Sequence, residues 1–319
     1  VSADTQSVAQ AWGVDTGAGD NLVKNTGELT VDADARSTRT SVSVALPIPE
    51  VIPNNPLPSA DVVSAGNAAY ADAWGVLAYD GDDVIRNDGN LSVTATSVGI
   101  SVSVLADIGS SSAPSSGFGL PNWGASLLSA GNESHSTATG VQLGEGENYL
   151  LNSGTILADA NADANATTVD VRLSMSRTDI FSVFASLADT ATISSADVAG
   201  ITAGSGDDVI DSQGNITATA LADTNSTSVT VDLQASKATP VVVGASVSSA
   251  DTRATADSVG IDSGAGEDQI TSAGLLTSKA ETNVDAVGVD VGISGASGSF
   301  MVIQGAWVSA SAGGTATAT

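Results

Sequence analysis

Apolar and polar residues alternate along most of this chain with a period of two. Ile216, Ala218, Ala220 and Ala222 share one phase. Ala250, Ala254 and Ala256 share another, with Asp251, Arg253 and Asp257 between them. Such alternation predicts strands with one face inward, and no segment offers an apolar face at the 3.6-residue helical period. One alternation starts at Leu29, Leu91, Ile156, Ile216 and Leu276. Thirteen residues after each start, Val42, Val104, Val169, Val229 and Val289 open a second alternation of opposite phase. On a continuous strand an odd offset moves the apolar set to the other face. A bend, corner or bulge near that point is therefore expected, to return these valines to the inside.

The alternation belongs to a larger period. Gly13, Gly75, Gly140, Gly200 and Gly260 open five copies of one motif, spaced by 62, 65, 60 and 60 residues. Its pattern is G-[VI]-x-x-[GY]-x-G-[DE]-[DN]-x-[VIL]-x-[NS]-x-G-x-[LI]. The repeats run approximately over 1–61, 62–126, 127–186, 187–246 and 247–307, and 308–319 begins a further one. The chain forms a single array. A unit of this size made mostly of strand cannot bury its own faces, but stacked units can. The predicted fold is all-β: a flattened parallel β-solenoid (β-helix) of about 60 residues per repeat, with one wide coil per repeat. Two or three smaller coils per repeat, or separate antiparallel modules, are the competing geometries. Ala, Ser, Thr and Gly on the inner faces would let two broad sheets approach closely.

Between the two long stretches of each unit lies a variable link. It is Pro-rich in the first copy, where Pro47, Pro49, Pro53, Pro56 and Pro58 fall, and Gly/Ser-rich in the second. In later copies it is short and apolar. Phe181, Phe184, Val242, Phe300 and Ile303 would stack along one edge, plugging the interior or making lateral contacts between copies. The array starts and stops within equivalent strands and neither end reads as a polar cap, so end-to-end self-association is expected.

Composition narrows the function. The 319 residues carry 9 Lys+Arg against 36 Asp+Glu, a formal charge of −27, with no Cys and one His. A disulfide framework, a zinc-thiolate site and a cysteine nucleophile are excluded. The charge opposes nucleic acid and anionic membranes as partners. No run reaches the length of a membrane span.

The motif turn is the one constellation with specific chemistry. Its oxygen-rich centres are Gly19-Asp20-Asn21, Gly81-Asp82-Asp83, Gly146-Glu147-Asn148, Gly206-Asp207-Asp208 and Gly266-Glu267-Asp268. Glycine permits a tight turn and leaves carbonyls accessible. Carboxylate, amide and carbonyl oxygens suit Ca2+. Stacked turns would form a column of mutually repelling carboxylates, which several Ca2+ ions between successive turns would relieve. The alternative is an acidic, solvated turn whose glycine is purely conformational.

Stretches such as GSGDDVI (Gly204–Ile210) and GAGEDQI (Gly264–Ile270) resemble the RTX, or hemolysin-type, calcium-binding nonapeptide. The resemblance implies metal ligands at Asn21, Asp83, Asn148, Asp208 and Asp268, with turn carbonyls around Gly19, Gly81, Gly146, Gly206 and Gly266. It implies the family's large apolar residue at Val23, Ile85, Leu150, Ile210 and Ile270. RTX motifs recur every nine residues, whereas these recur every 60–65, and Tyr79 stands at a motif glycine. The whole unit is similar to the long β-strand repeats of large bacterial surface proteins and adhesins.

The expected function is therefore structural: an extracellular or cell-surface, calcium-stabilised β-solenoid forming a surface layer, filament or adhesin stalk. An adhesive or ligand-binding module is the runner-up, for which the Gly117–Trp123 insertion is the candidate. A polysaccharide-active enzyme and an ice-binding protein rank lower. His135 lacks a nucleophile elbow and is read as a solvated loop residue. Trp12 and Trp74 are expected to pack on an outer face.

Overall fold

The computed structural model describes residues 2–45, 59–111, 122–176, 181–236, 241–296 and 301–319. Each repeat contributes a long strand, a four-residue strand and a second long strand. The first holds β1 (Ser2–Asp15), β2 (Leu22–Asn25) and β3 (Glu28–Ala45). Next come β4 (Ser59–Leu77), β5 (Val84–Asn87) and β6 (Asn90–Ser111), then β7 (Asn122–Gln142), β8 (Tyr149–Asn152) and β9 (Thr155–Ser176). They are followed by β10 (Phe181–Thr202), β11 (Val209–Ser212) and β12 (Ile216–Ser236). The chain then runs through β13 (Val241–Asp262), β14 (Gln269–Ser272) and β15 (Leu276–Ala296) to β16 (Met301–Ala318).

Three parallel sheets result, each stacked in sequence order. The first is β1-β4-β7-β10-β13-β16, the second β2-β5-β8-β11-β14 and the third β3-β6-β9-β12-β15. The protein is all-β, and the arrangement is that of a β-solenoid. Equivalent motif residues pair in register, as Leu29↔Leu91, Leu91↔Ile156, Ile216↔Ile156 and Ile216↔Leu276. No helix long and apolar enough to cross a membrane occurs among the described residues.

The first and third sheets face each other, and the short strands of the second close one edge. At that edge the interior is large and apolar: Ile85, Leu150 and Ile210 of the short strands meet Leu91, Ile156 and Ile216. Farther along the long strands the core turns to alanine, with Ala95, Ala160 and Ala220 opposite Ala71, Ala138 and Ala196. Beyond that it becomes polar. Asn67 Nδ2 donates to Ser37 O at 2.8 Å and to Ile100 O at 3.0 Å. Ser97 and Ser134 Oγ lie 2.7 Å apart. Side chains this small let two sheets pack closely, so the paired groups bond across the gap instead of to water.

The expected bend before the valines is not there. Strands β6, β9, β12 and β15 run unbroken through Val104, Val169, Val229 and Val289, and their ladders keep register. The valines therefore face outward. Their inward neighbours are Ser103, Thr168 and Ser228, all fully buried. The far interior is mixed: an apolar cluster of Val63, Leu105, Leu128 and Ala188 adjoins an ionic one, in which Asp170, Arg172 and Asp232 are each no more than 2% exposed. Arg172 lies between Asp107 and Asp232 in the third sheet's ladders, with Nε 3.4 Å from Asp107 Oδ2 and Nη1 donating to Ala185 O at 3.0 Å. A continuous ladder retains every backbone hydrogen bond, whereas a bulge would leave groups unpaired inside a narrow sandwich. The side chains accommodate to the backbone here.

His135 lies within β7, not in a loop. On the outer face its Nε2 is 3.1 Å from Thr137 Oγ1 and its Nδ1 3.8 Å from Asp197 Oδ2. Among the link residues, Phe184 pairs with Gly244, Val242 with both Ser182 and Val302, and Ile303 with Val243. Phe181 pairs with Val241, so the backbone does stack there. Phe300 and most of the Gly117–Trp123 insertion lie outside the described residues.

Candidate ion site in the stacked glycine turns

Five turns connect the first sheet to the second, one directly above another. Their central glycines Gly19, Gly81, Gly146, Gly206 and Gly266 all have positive φ, between 105° and 156°. A Cβ on any of the later four would collide with a carbonyl of the turn before it. Dihedral and stacking thus both require glycine at this position.

The residue two places on builds a ladder between coils. The N–H of Asn21 donates to Asp83 Oδ1 at 2.8 Å, and that of Asp83 to Asn148 Oδ1 at 2.9 Å. Asn148 N–H donates to Asp208 Oδ1 at 2.9 Å, and Asp208 N–H to Asp268 Oδ1 at 3.0 Å. Asp83, Asn148 and Asp208 are no more than 2% exposed. The residue just before forms an exposed ladder of opposite sense. Asp82 N–H donates to Asp20 Oδ1 at 3.0 Å, Glu147 N–H to Asp82 Oδ1 at 2.9 Å, and Glu267 N–H to Asp207 Oδ1 at 2.9 Å.

This geometry corrects the picture of an unrelieved carboxylate column. Along the inner ladder Asn and Asp alternate until Asp208 meets Asp268, and each bonded Oδ1 already receives an N–H. The difference between Asn and Asp copies falls on the second side-chain atom. Asn148 Nδ2 donates to Gly146 O at 3.2 Å; Asn21 Nδ2 donates to Gly17 O at 3.3 Å and also to Gly19 O. In the Asp copies the corresponding atoms, Asp83 Oδ2 and Asp208 Oδ2, are buried acceptors without a hydrogen-bond partner. An unpartnered buried carboxylate oxygen beside turn carbonyls calls for a cation or a proton. Burial, reinforced by Asp268, raises the pKa of Asp208 above 3.8, against donation from the N–H and side chain of Asn148 and from the N–H of Gly204. The hard-oxygen set at these positions fits Ca2+. The turns of Asp83 and Asp208 would each contribute one buried carboxylate and main-chain carbonyls, and those of Asn21 and Asn148 an amide oxygen in place of the carboxylate. No cluster of three or more metal-ligating His, Cys, Asp or Glu side chains occurs among the described residues.

The apolar motif position behaves as the resemblance implies at Ile85, Leu150 and Ile210, which are buried; Ile270, in the last coil, is 45% exposed. The sequence reading gave no role to the motif's [NS] position. It forms a second inter-coil ladder: Asn25 Nδ2 donates to Asn87 Oδ1 at 2.8 Å, Asn87 Nδ2 to Asn152 Oδ1 at 2.8 Å, and Asn152 Nδ2 to Ser212 Oγ at 3.0 Å. Recurrence of an amide or hydroxyl at one motif position was the available signal.

Other carboxylates share the upward shift. Burial raises Asp159, Asp163, Asp170 and Asp197 above 3.8, as it does Asp208. A raised folded-state pKa means that the folded chain binds protons more tightly than the unfolded one. The stability this adds is complete below the unfolded value and is lost as pH rises through the folded values. In a chelator-containing buffer, the melting temperature is therefore expected to rise as pH falls from 7 toward 4. A calorimetric pH series showing a fall would contradict the assignment.

Comparison with family models, with curated proteins and with solved structures finds no match for the chain.

Proposed function

We propose that this chain is an extracellular structural protein, a calcium-stabilised β-solenoid of a surface layer, filament or adhesin stalk. In this reading each repeat of about 60 residues is one wide, flattened coil. The protein acts passively and not as an enzyme: parallel ladders carry load along the stack, and bound Ca2+ fixes the turn edge. Copies associate end to end through their terminal coils. The observation carrying the ion part is the pair of buried, unpartnered oxygens at Asp83 and Asp208.

The test is calorimetry with calcium and with a chelator. At a hundredfold excess over Kd, calcium should add about 2.7 kcal/mol per site, a shift of several degrees. Asp208→Asn supplies an amide where the wild type has an orphan oxygen. This variant should be more stable than wild type in chelator and gain less from calcium. A chelator without effect on the wild type, at neutral pH, would end the ion reading.

An adhesive module draws support from one observation. An aromatic cluster confined to the first coils sits on the outer face of the first sheet, where the Trp12 and Trp74 rings, at equivalent positions, stack at 5.6 Å and 7°. Tyr70 and His135 lie nearby, with ring centroids 6.4 Å apart. Quenching of tryptophan fluorescence by soluble glycans, abolished in Trp12→Ala/Trp74→Ala, would favour that reading.

A further inference from the structure

The far part of the third sheet presents an apolar outer face over a mixed interior. Val42, Val104, Val169, Val229 and Val289 form one row across all five strands. The next row continues with Val171, Val231 and Val291, and a third with Leu173, Leu233 and Ile293. Exposure is 60% at Val42, 37% at Val171 and 58% at Ile293. No charged side chain faces outward among the described residues of this region. Nearer the glycine turns the same face carries Asp32, Asp34, Asp159, Asp163, Asp223 and Glu281, with Arg36 and Lys279 among them. Charge and apolarity are therefore segregated along one flat sheet face.

We infer that this valine face packs against the same face of a second copy of the chain. Three observations select that occupant. The patch measures roughly 20 Å along the strands by 24 Å across them, at about 3.3 Å per residue and 4.8 Å per strand, or roughly 500 Å² per partner. The total of roughly 1,000 Å² reaches the size at which specific interfaces begin. Second, rows of valine at strand spacing are self-complementary: facing sheets interdigitate such side chains at about 10 Å separation, and a two-fold axis brings identical patches together. Third, copies carrying a net charge of −27 repel one another, and this face lets them meet while keeping the acidic ends of the sheets apart. The contact is lateral. It needs neither calcium nor the end coils, so it stands apart from the reading above.

The test is sedimentation velocity on the full chain across a concentration series at low and high salt. Wild type should pass from monomer to dimer with rising concentration, at lower concentration in high salt because screening weakens the repulsion. Val169→Lys/Val229→Lys lies in interior coils and should weaken self-association at least tenfold. Asn165→Lys/Asn225→Lys, on the same face but nearer the turns, should retain the dimer. Circular dichroism checks folding, and Val169→Thr/Val229→Thr replaces the lysine pair if that pair misfolds. A monomer at every concentration, or a dimer indifferent to the valine variants, overturns the inference. So does a monomeric wild type that floats with neutral phosphatidylcholine vesicles through Val169 and Val229, since the face would then meet lipid.

Discussion

Replacing Arg172 by Met should lower the unfolding free energy at pH 7 by about 3–5 kcal/mol, the range for breaking a buried ion pair from one side. The guanidinium is 2% exposed and sits between Asp107 and Asp232. It also lowers the pKa of Asp170, which burial raises. Met fills a similar volume but leaves three carboxylates in a narrow interior without their cation. They would respond by taking up protons, so the deficit should shrink as pH falls toward 4. Urea denaturation at pH 7 and at pH 4.5 checks both parts. A variant as stable as wild type at neutral pH would show that the ionic interior is not needed. Replacing Asp107, Asp170, Arg172 and Asp232 together by apolar residues should recover much of the loss, because no stranded charge remains.

Gly206→Ala should be similarly costly for a different reason. At φ 126° a side chain is strained by about 1–3 kcal/mol. Its Cβ would also run into the carbonyl of Gly146 in the neighbouring coil. Relief requires the turns to separate, which would break the Asn148-to-Asp208 bond that ties the coils. Gly131→Ala is the matched control. Nothing lies within 4 Å of its added methyl, so its stability should stay within about 0.5 kcal/mol of wild type. Thermal unfolding of the two variants side by side separates the stacking requirement from a general cost of losing glycine. Equal effects would mean that the turns do not depend on close approach.

Pattern alone carried much of this architecture. The five glycines from Gly13 to Gly260, the period-two alternation, and the apolar position at Ile85, Leu150 and Ile210 specified a stacked all-β array. Each is a local property repeated often enough to be read: a turn needs glycine, and a half-buried strand needs alternation. The outer packing of Trp12 against Trp74 was legible for the same reason, since equivalent positions in adjacent coils must become neighbours. The turn residues were identified as a column, but their bonding was not. Whether Asp208 repels its neighbour or accepts that neighbour's N–H depends on side-chain rotamers and on the Asn–Asp order along the stack.

What the linear pattern could not settle was which side of a strand is inside once the alternation changes phase. From Val104 onward the sequence places apolar residues where polar ones had been. A strand can kink to keep them in, or run straight and turn them out. Only the tertiary structure decided between these. The ladder on either side stays in register, and a kink in one coil would have to be copied by every coil above and below it. The backbone hydrogen bonds of the whole stack therefore outweigh the burial of one valine row. Polar and charged groups such as Asp170, Arg172 and Asp232 are left within, while the valines face outward.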